Sequence, residues 1–385
     1  MPRPITMRFF FVLLFVFVSS FCSAANAQAL VVPALTARAW VVMDYQTGQI
    51  LASQEADLKL EPASLTKVMT TYLVASALKN KSLLPDQKVV ISERAWRTYG
   101  SRSFLQVGSM STVEDLLKGM VIQSGNDASV ALAEAVAGSE EAFAERMNSE
   151  AKRLGLNDTH FLNSSGFFDN TEPRHYSTAR DLAKLAAALV RDHPETHAIH
   201  AIKEYRSQGI LQHNRNRLLW LDPSVDGLKT GHSNAAGYCL ISTALRGSQR
   251  LIAVVLATPS DAARADDSIK LLNWAYLAFE SVQLFQKNQA IAEIEVFKGA
   301  AQSVKAGFTD NFSISVPRGL ATKITQQLDK RPPLIAPVAA GTELATLSLS
   351  VDGKPWGSYP VVALEAVEEG NIFRRFWDWL RLLFR

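Results

Sequence analysis

Glu61-Pro62-Ala63-Ser64-Leu65-Thr66-Lys67, continuing as VMTTYLVASALK to position 79, is the stretch on which the fold turns. Pro62 suits a helical first turn, because it has no N–H to lose there. Apolar residues then recur at helical spacing, which predicts a helix from Ala63 to about Leu78. Ser64 and Lys67 stand three residues apart on one face of it, so hydroxyl and amine can meet. A serine nucleophile needs a base within hydrogen-bond reach, and a lysine serves once burial or a neighbouring cation lowers its pKa. The Ser64 N–H, in the first turn, has no helical acceptor and is free to help hold an oxyanion. Alone the pattern says little. A chain of 385 residues holds about one or two S-x-x-K by chance. A second copy, Ser76-Ala77-Leu78-Lys79, ends the same helix away from any unpaired N–H and reads as surface.

Outward from this helix the pattern is mixed. Residues 39–45 (AWVVMDY) and 49–54 (QILASQ) read as two strands joined through Gln46-Thr47-Gly48. Residues 112–137 predict two helices with a break at Gln123-Ser124-Gly125-Asn126, and 140–154 and 178–191 have helical apolar spacing. A strand pair follows at 238–246 and 250–257, turned at Arg246-Gly247-Ser248, then an amphipathic helix over 266–281. Strands, then helices, then strands and a last helix predict an α+β domain whose sheet is covered by helices. Near residue 285 the character changes to short alternating runs at 292–297, 312–316, 344–351 and 359–364, with an Asp352-Gly353 turn before the last. This is a small all-β domain without clustered His, Cys or acid pairs, and it reads as a spacer or interaction module.

Two further short motifs complete a set. Ser124-Gly125-Asn126 falls between helices, where a hydroxyl can face a cleft. Lys229-Thr230-Gly231, expected about 0.1 times per chain by chance, leads toward the strand at 238–246. The lysine adds positive field, the threonine a hydroxyl, and the glycine lets a peptide backbone lie close. Serine β-lactamases and penicillin-binding proteins share these three motifs in this order. Longer stretches carry the likeness further: PASLTK at 62–67, QSGNDA at 123–128, LGLNDTHF at 154–161, HNRNRLLW at 213–220 and VDGLKTGHS at 225–233.

Over nearly its whole length the chain resembles the low-molecular-mass penicillin-binding proteins that are serine D-alanyl-D-alanine carboxypeptidases. The resemblance implies a penicillin-recognising serine transpeptidase/β-lactamase-like domain, then a small all-β domain and a C-terminal amphipathic helix. It implies Ser64 as acyl-enzyme nucleophile, Lys67 as its base, Ser124 as proton relay and Asn126 as a holder of the substrate peptide. Lys229 and Thr230 would position the substrate carboxylate, Gly231 would let the bound peptide lie close, and the backbone N–H groups of Ser64 and His232 would form the oxyanion hole. Arg215 and Arg264 match arginines near that family's cleft. The substrate would be a peptidoglycan pentapeptide, β-lactams would acylate Ser64, and no metal or cofactor would be needed. Ser233 stands where the family usually has Thr, and keeps the hydroxyl. A β-lactamase of the commonest serine type is disfavoured, because no Glu-x-x-Leu-Asn string lies between Ser124 and Lys229. A D,D-endopeptidase on the same scaffold is poorly separated by sequence. A non-catalytic wall-binding module is disfavoured by the intact motifs.

The ends carry their own signals. Arg3 and Arg8, the run FFFVLLFVFV at 9–18 and the small residues ending Ala27-Gln28-Ala29 predict a cleaved secretory signal over 1–29. Without Arg3 and Arg8 the net charge falls from +3 to +1, which is no nucleic-acid surface. One cysteine remains beyond the signal, Cys239, predicted to be a buried thiol outside any disulfide. His193, His197 and His200 have metal-like spacing, but Pro194 and the absence of an acidic partner in the pattern predict an exposed connector. From Asn371 to Arg385, Arg374, Asp378, Arg381 and Arg385 share one narrow face, with Phe373, Phe376, Trp377, Leu380, Leu383 and Phe384 opposite. Too short to span a bilayer, this helix predicts attachment to a membrane surface, and the resemblance implies the periplasmic face of the bacterial inner membrane. The organisation expected is a signal at 1–29, a catalytic domain at 30–284, a β-rich domain at 285–368 and an anchor helix at 369–385.

Overall fold

The computed structural model describes residues 31–167, 175–207, 209–330 and 333–383. The predicted signal, Phe384 and Arg385 lie outside the described residues. Five strands form the first sheet: β1 (Ala39–Asp44), β2 (Ile50–Gln54), β3 (Val225–Ser233), β4 (Gly237–Arg246) and β5 (Gln249–Thr258). Their order is β2-β1-β5-β4-β3, antiparallel throughout, so β3 is an edge strand.

Both faces of this sheet are covered, and the period of two in β1 shows how. Val41 and Met43 pack with α1 (Lys67–Lys79), α4 (Glu140–Arg153) and α5 (Ala179–Asp192) through Val68, Phe143 and Leu182. Trp40 and Val42 face the other way, onto Leu271, Leu272 and Ala275 of α6 (Asp261–Ala278). A fully buried Leu or Val side chain contributes roughly 1.5–3 kcal/mol, so the sandwich of helix, sheet and helix fixes β3 firmly. A second cluster joins α2 (Val113–Ile122) and α3 (Asn126–Ala137) to the hairpin strands Lys88–Val90 and Met110–Thr112 through Leu116, Met120 and Val130. The hydroxyls of Thr112, Ser139, Thr178 and Ser260 cap α2, α4, α5 and α6, each accepting the N–H three residues on.

Three sequence expectations are corrected here. The helix opening at Ala63 is first a 3-10 turn, Ala63–Thr66, and the α-helix begins at Lys67. The helix read as 266–281 runs over 261–278, because Ser260 caps it and Phe279 already enters a strand. The Lys229-Thr230-Gly231 motif does not lead into a strand but lies inside one, β3.

The chain then builds a second body from β6 (Phe279–Phe285), β7 (Ala290–Phe297), β8 (Ser303–Gly307), β9 (Phe312–Pro317), β10 (Ile324–Lys330), β11 (Leu334–Ile335), β12 (Glu343–Val351) and β13 (Lys354–Ala363). β6 pairs with β9, and the others form a sheet ordered β10-β12-β13-β8-β7-β11. Pairing of β6 with β9 brings the start of this body forward to Phe279, ahead of the change of character near 285. Helix α7 (Ile372–Leu383) follows.

Candidate active site

The 3-10 turn buries Ala63, Leu65 and Thr66 and leaves Ser64 half-buried at the wall of a cleft of about 820 Å³. Ala63 before it is held at φ +45, and Ser124, on the far wall, at φ +67. Left-handed backbone at non-glycine residues costs roughly 1–3 kcal/mol, and here it stands beside both motif serines. Two glycines let the walls close on the turn. A Cβ on Gly231 would come within 2.8 Å of the Pro62 carbonyl oxygen, and one on Gly166 within 1.9 Å of the Ala63 carbonyl oxygen. The edge strand β3 and the 163–167 loop therefore reach the nucleophile only as glycine.

Lys67 is wholly buried, at 0% exposure. Its Nζ donates to Asn126 Oδ1 at 2.7 Å and to the Ser165 carbonyl at 2.7 Å, and lies 3.0 Å from Ser64 Oγ. A neutral amine has two N–H bonds and one lone pair. Two fixed carbonyl acceptors use the N–H bonds, which leaves the lone pair for the Ser64 hydroxyl. Burial lowers the Lys67 pKa to about 7, and the positive charge of Arg215 pushes the same way. The geometry and the lowered pKa both favour a base.

Asn126 is turned so that its Nδ2 donates to the Tyr99 carbonyl at 2.5 Å, which aims Oδ1 at Lys67. The sequence expectation gave this residue to the substrate peptide. In the structure its Oδ1 is on Lys67 and its Nδ2 on the Tyr99 carbonyl, and the residue also lines the cleft where that peptide would lie. Asp127, buried beside it, accepts the Ser103 and Leu105 N–H groups and ties the 101–105 loop to α3.

Ser124 Oγ accepts from Lys229 Nζ at 2.9 Å, and Lys229 also donates to the Thr230 carbonyl at 2.9 Å. Burial drives the Lys229 pKa well down, with Lys67, Arg215 and Arg264 adding repulsion. The two arginines behave differently. Arg264 is buried, donates to the Gly231 carbonyl at 3.1 Å and pairs with Asp261. Arg215 has no hydrogen-bond or ion-pair partner among the described residues, and lines the cleft with Thr230, Gly231 and His232. The exposed His232 ring packs on Tyr238 at 4.0 Å, tilted by 33°. Ser233 Oγ accepts the Ala236 N–H at 2.9 Å, closing the turn after β3.

Sequence reasoning missed two supports. The Ser165 carbonyl, which has no side-chain signature, holds Lys67. His175 lies behind the catalytic turn: its Nδ1 accepts the Leu162 N–H at 3.3 Å, so Nε2 carries the proton and donates to Thr66 Oγ1 at 2.8 Å. Burial lowers its pKa to about 3, which keeps it neutral. His193, His197 and His200 are a correction. They are buried, not an exposed connector. His193 meets Ser76, His197 meets Thr243, and His200 Nδ1 meets the Leu228 carbonyl one residue before Lys229. Each imidazole has a polar partner for one ring nitrogen, His193 on α1 and His197 and His200 against β4 and β3. Cys239 is buried opposite Gly231, and burial raises its pKa to about 11.

Two family models match the chain: D-alanyl-D-alanine carboxypeptidase over residues 25–260, and penicillin-binding protein 5, C-terminal domain, over 279–369. The chain is 40% identical to D-alanyl-D-alanine carboxypeptidase DacC of Escherichia coli strain K12, over 96% of its own length and 94% of that protein. It is similar to the crystal structures of penicillin binding protein 5 from Haemophilus influenzae, with 37% identity, TM-score 0.82, and coverage of 88% of this chain and 99% of that one. The ampicillin-bound form of penicillin-binding protein D2 from Listeria monocytogenes matches at 33% identity and TM-score 0.59, over 63% of this chain and 98% of that one.

Proposed function

The chain belongs to the D-alanyl-D-alanine carboxypeptidase family of serine peptidases, and on that premise we propose how its own residues carry the reaction. It is a serine-type carboxypeptidase that removes the terminal D-Ala from peptidoglycan stem peptides and binds penicillin covalently. Ser64 Oγ attacks the carbonyl of the penultimate D-Ala, and its proton passes to the Lys67 lone pair. The oxyanion is held by the backbone N–H groups of Ser64 and His232. As the C–N bond breaks, the proton moves through Ser124 to the departing amine. Water then attacks the acyl-enzyme, with Lys67 again taking the proton. The substrate backbone lies along the open edge of β3. Its terminal carboxylate meets Lys229, Thr230 and Arg215, while Arg264, on the same cleft lining, braces β3 through the Gly231 carbonyl. The observation that carries this reading is the buried Lys67 amine, with two carbonyls on its N–H bonds and Ser64 at 3.0 Å. A peptide ending in D-Ala-D-Ala should yield free D-Ala with the purified protein and none with Ser64→Ala. Folded wild-type protein that takes penicillin but releases no D-Ala would overturn it.

The same reading places the mature chain outside the cytoplasm after cleavage of a signal at 1–29, attached peripherally through α7. No described helix is long and apolar enough to cross a membrane. Support comes from Phe373 and Trp377, which are 82% and 65% exposed. Truncation before Asn371 should leave an active enzyme in the soluble fraction, because all the proposed catalytic groups precede α7. A truncated protein that still sediments with membranes would end the anchor reading.

A further inference from the structure

The charged face of α7 is turned toward the β-rich domain at Asp378, with Arg374 half-buried beside it and Arg375 and Arg381 paired at the exposed rim. Asp378 is 3% exposed and accepts the Lys298 N–H at 2.7 Å. Lys298 is held at φ +59 directly after β7, so the backbone there is shaped to offer that N–H. Arg374 and Arg381 flank Asp378 at 3.8 and 3.5 Å, and Arg381 also reaches Glu295 of β7 at 3.0 Å. Its guanidinium lies over the Phe297 ring at 5.5 Å. Arg375 meets Glu369 at 2.7 Å. Three arginines therefore face three carboxylates, Asp378, Glu295 and Glu369. Ile372, Phe373, Phe376, Trp377, Trp379 and Leu383 remain exposed.

This is the reverse of the usual surface helix, which buries its apolar face in its own protein and turns its charges to water. It also differs from a cationic membrane helix, whose basic residues meet anionic headgroups. We propose that α7 is latched to the β-rich domain by Asp378 through its charged face, and meets the bilayer with its apolar face alone. The partner surface is the headgroup–acyl boundary of a bilayer, with no requirement for anionic lipid. Aromatic side chains on a helix too short to span suit that boundary. The latch also orients the protein: the helix is not a tether but part of the rigid base of the β-rich domain. The inference rests on the anchor reading given above.

Flotation of the mature chain with vesicles of phosphatidylcholine alone, and of phosphatidylcholine with phosphatidylglycerol, tests it. Each free basic residue near an anionic surface is worth about 1 kcal/mol, so three free arginines would favour the anionic vesicles on the order of a hundredfold. Latched arginines predict a preference within about fivefold, little changed by salt. Asp378→Ala should free Arg374, leave Arg381 held by Glu295, raise the anionic preference by about tenfold, and remove the exchange protection of the Lys298 amide. Asp378→Asn, which can still accept that N–H, should keep more of the protection. A wild-type preference near a hundredfold that salt erases would overturn the latch and leave the anchor standing. Unchanged Lys298 protection in Asp378→Ala would also overturn it. Flotation that survives truncation before Asn371, failure to float on either vesicle, or a dimer that dissociates when α7 is removed would overturn the anchor itself.

Discussion

One continuous stretch carries the same four-residue pattern twice, and the two copies have different fates. At Ser64-x-x-Lys67 the amine is wholly buried, its pKa lies at about 7, and it faces a half-buried hydroxyl on a cleft wall. At Ser76-x-x-Lys79 the hydroxyl meets His193 and the exposed amine reaches the Asp192 carbonyl, so both groups join helix α1 to the end of α5. Spacing is common to both copies. What separates them is three turns of helix: one end lies under β3 and the 163–167 loop, the other at the rim. The comparison teaches that i, i+3 spacing offers a meeting of hydroxyl and amine, and that burial with two carbonyl acceptors turns the meeting into nucleophile and base.

The largest test exchanges the serines. Ser64→Ala should lower turnover by about 10⁴-fold or more and abolish the penicillin adduct seen by mass spectrometry. Ser76→Ala should leave kcat/KM unchanged and cost about 1 kcal/mol of stability, the worth of one hydrogen bond. A penicillin adduct that maps to Ser76 would break the comparison outright.

Exchanging the lysines comes next. Lys67→Arg keeps a cation but loses the lone pair, and acylation should fall by roughly 10²–10⁴. Lys79→Arg should have no effect on acylation measured in the same way. Near wild-type acylation by Lys67→Arg would move the base elsewhere.

The smallest effect is a shift of a pH profile. Lys67 acts as base when neutral, so kcat/KM should rise as pH passes through about 7. Arg215 helps hold that pKa down. Its replacement by Gln should raise the pKa, move the acid limb up by about half to one unit and reduce activity at pH 7. A limb that stays in place would mean that burial alone sets the pKa.

Much of this was legible beforehand. The alternation in 39–45 and the apolar spacing in 112–137 gave strands and helices near their observed places. The strand holding Lys229 was not legible, because Gly227, Gly231 and Asp226 interrupt the apolar alternation by which strands are recognised. Those glycines are there because the strand presses against Thr243 on one side and Pro62 on the other. Burial of the three histidines was hidden for a related reason: their partners are Ser76, Thr243 and the Leu228 carbonyl, distant in the chain, and a polar residue looks like surface in a sequence. The Ser165 carbonyl could not be read at all, since any residue supplies one. At the C-terminus the two faces of the helix were plain, but which face touches the protein depends on Lys298 and Glu295, some eighty residues earlier in the chain.

The sheet order carries a kinetic consequence. β1 is the first strand in the chain, and it sits between β2 and β5, with Ala39 opposite Leu256. Until β5 has been made, one edge of an entirely apolar-cored strand has no partner, and such an edge invites pairing with other chains. Contacts this distant in sequence also fold slowly, because a long loop must close before any of them forms. The strand that brings Lys229 to Ser124 is held in place by β4 and β5, so the catalytic groups cannot meet before that closure. A chain that ends before β5 is therefore inert toward its substrate, whatever its earlier helices have formed.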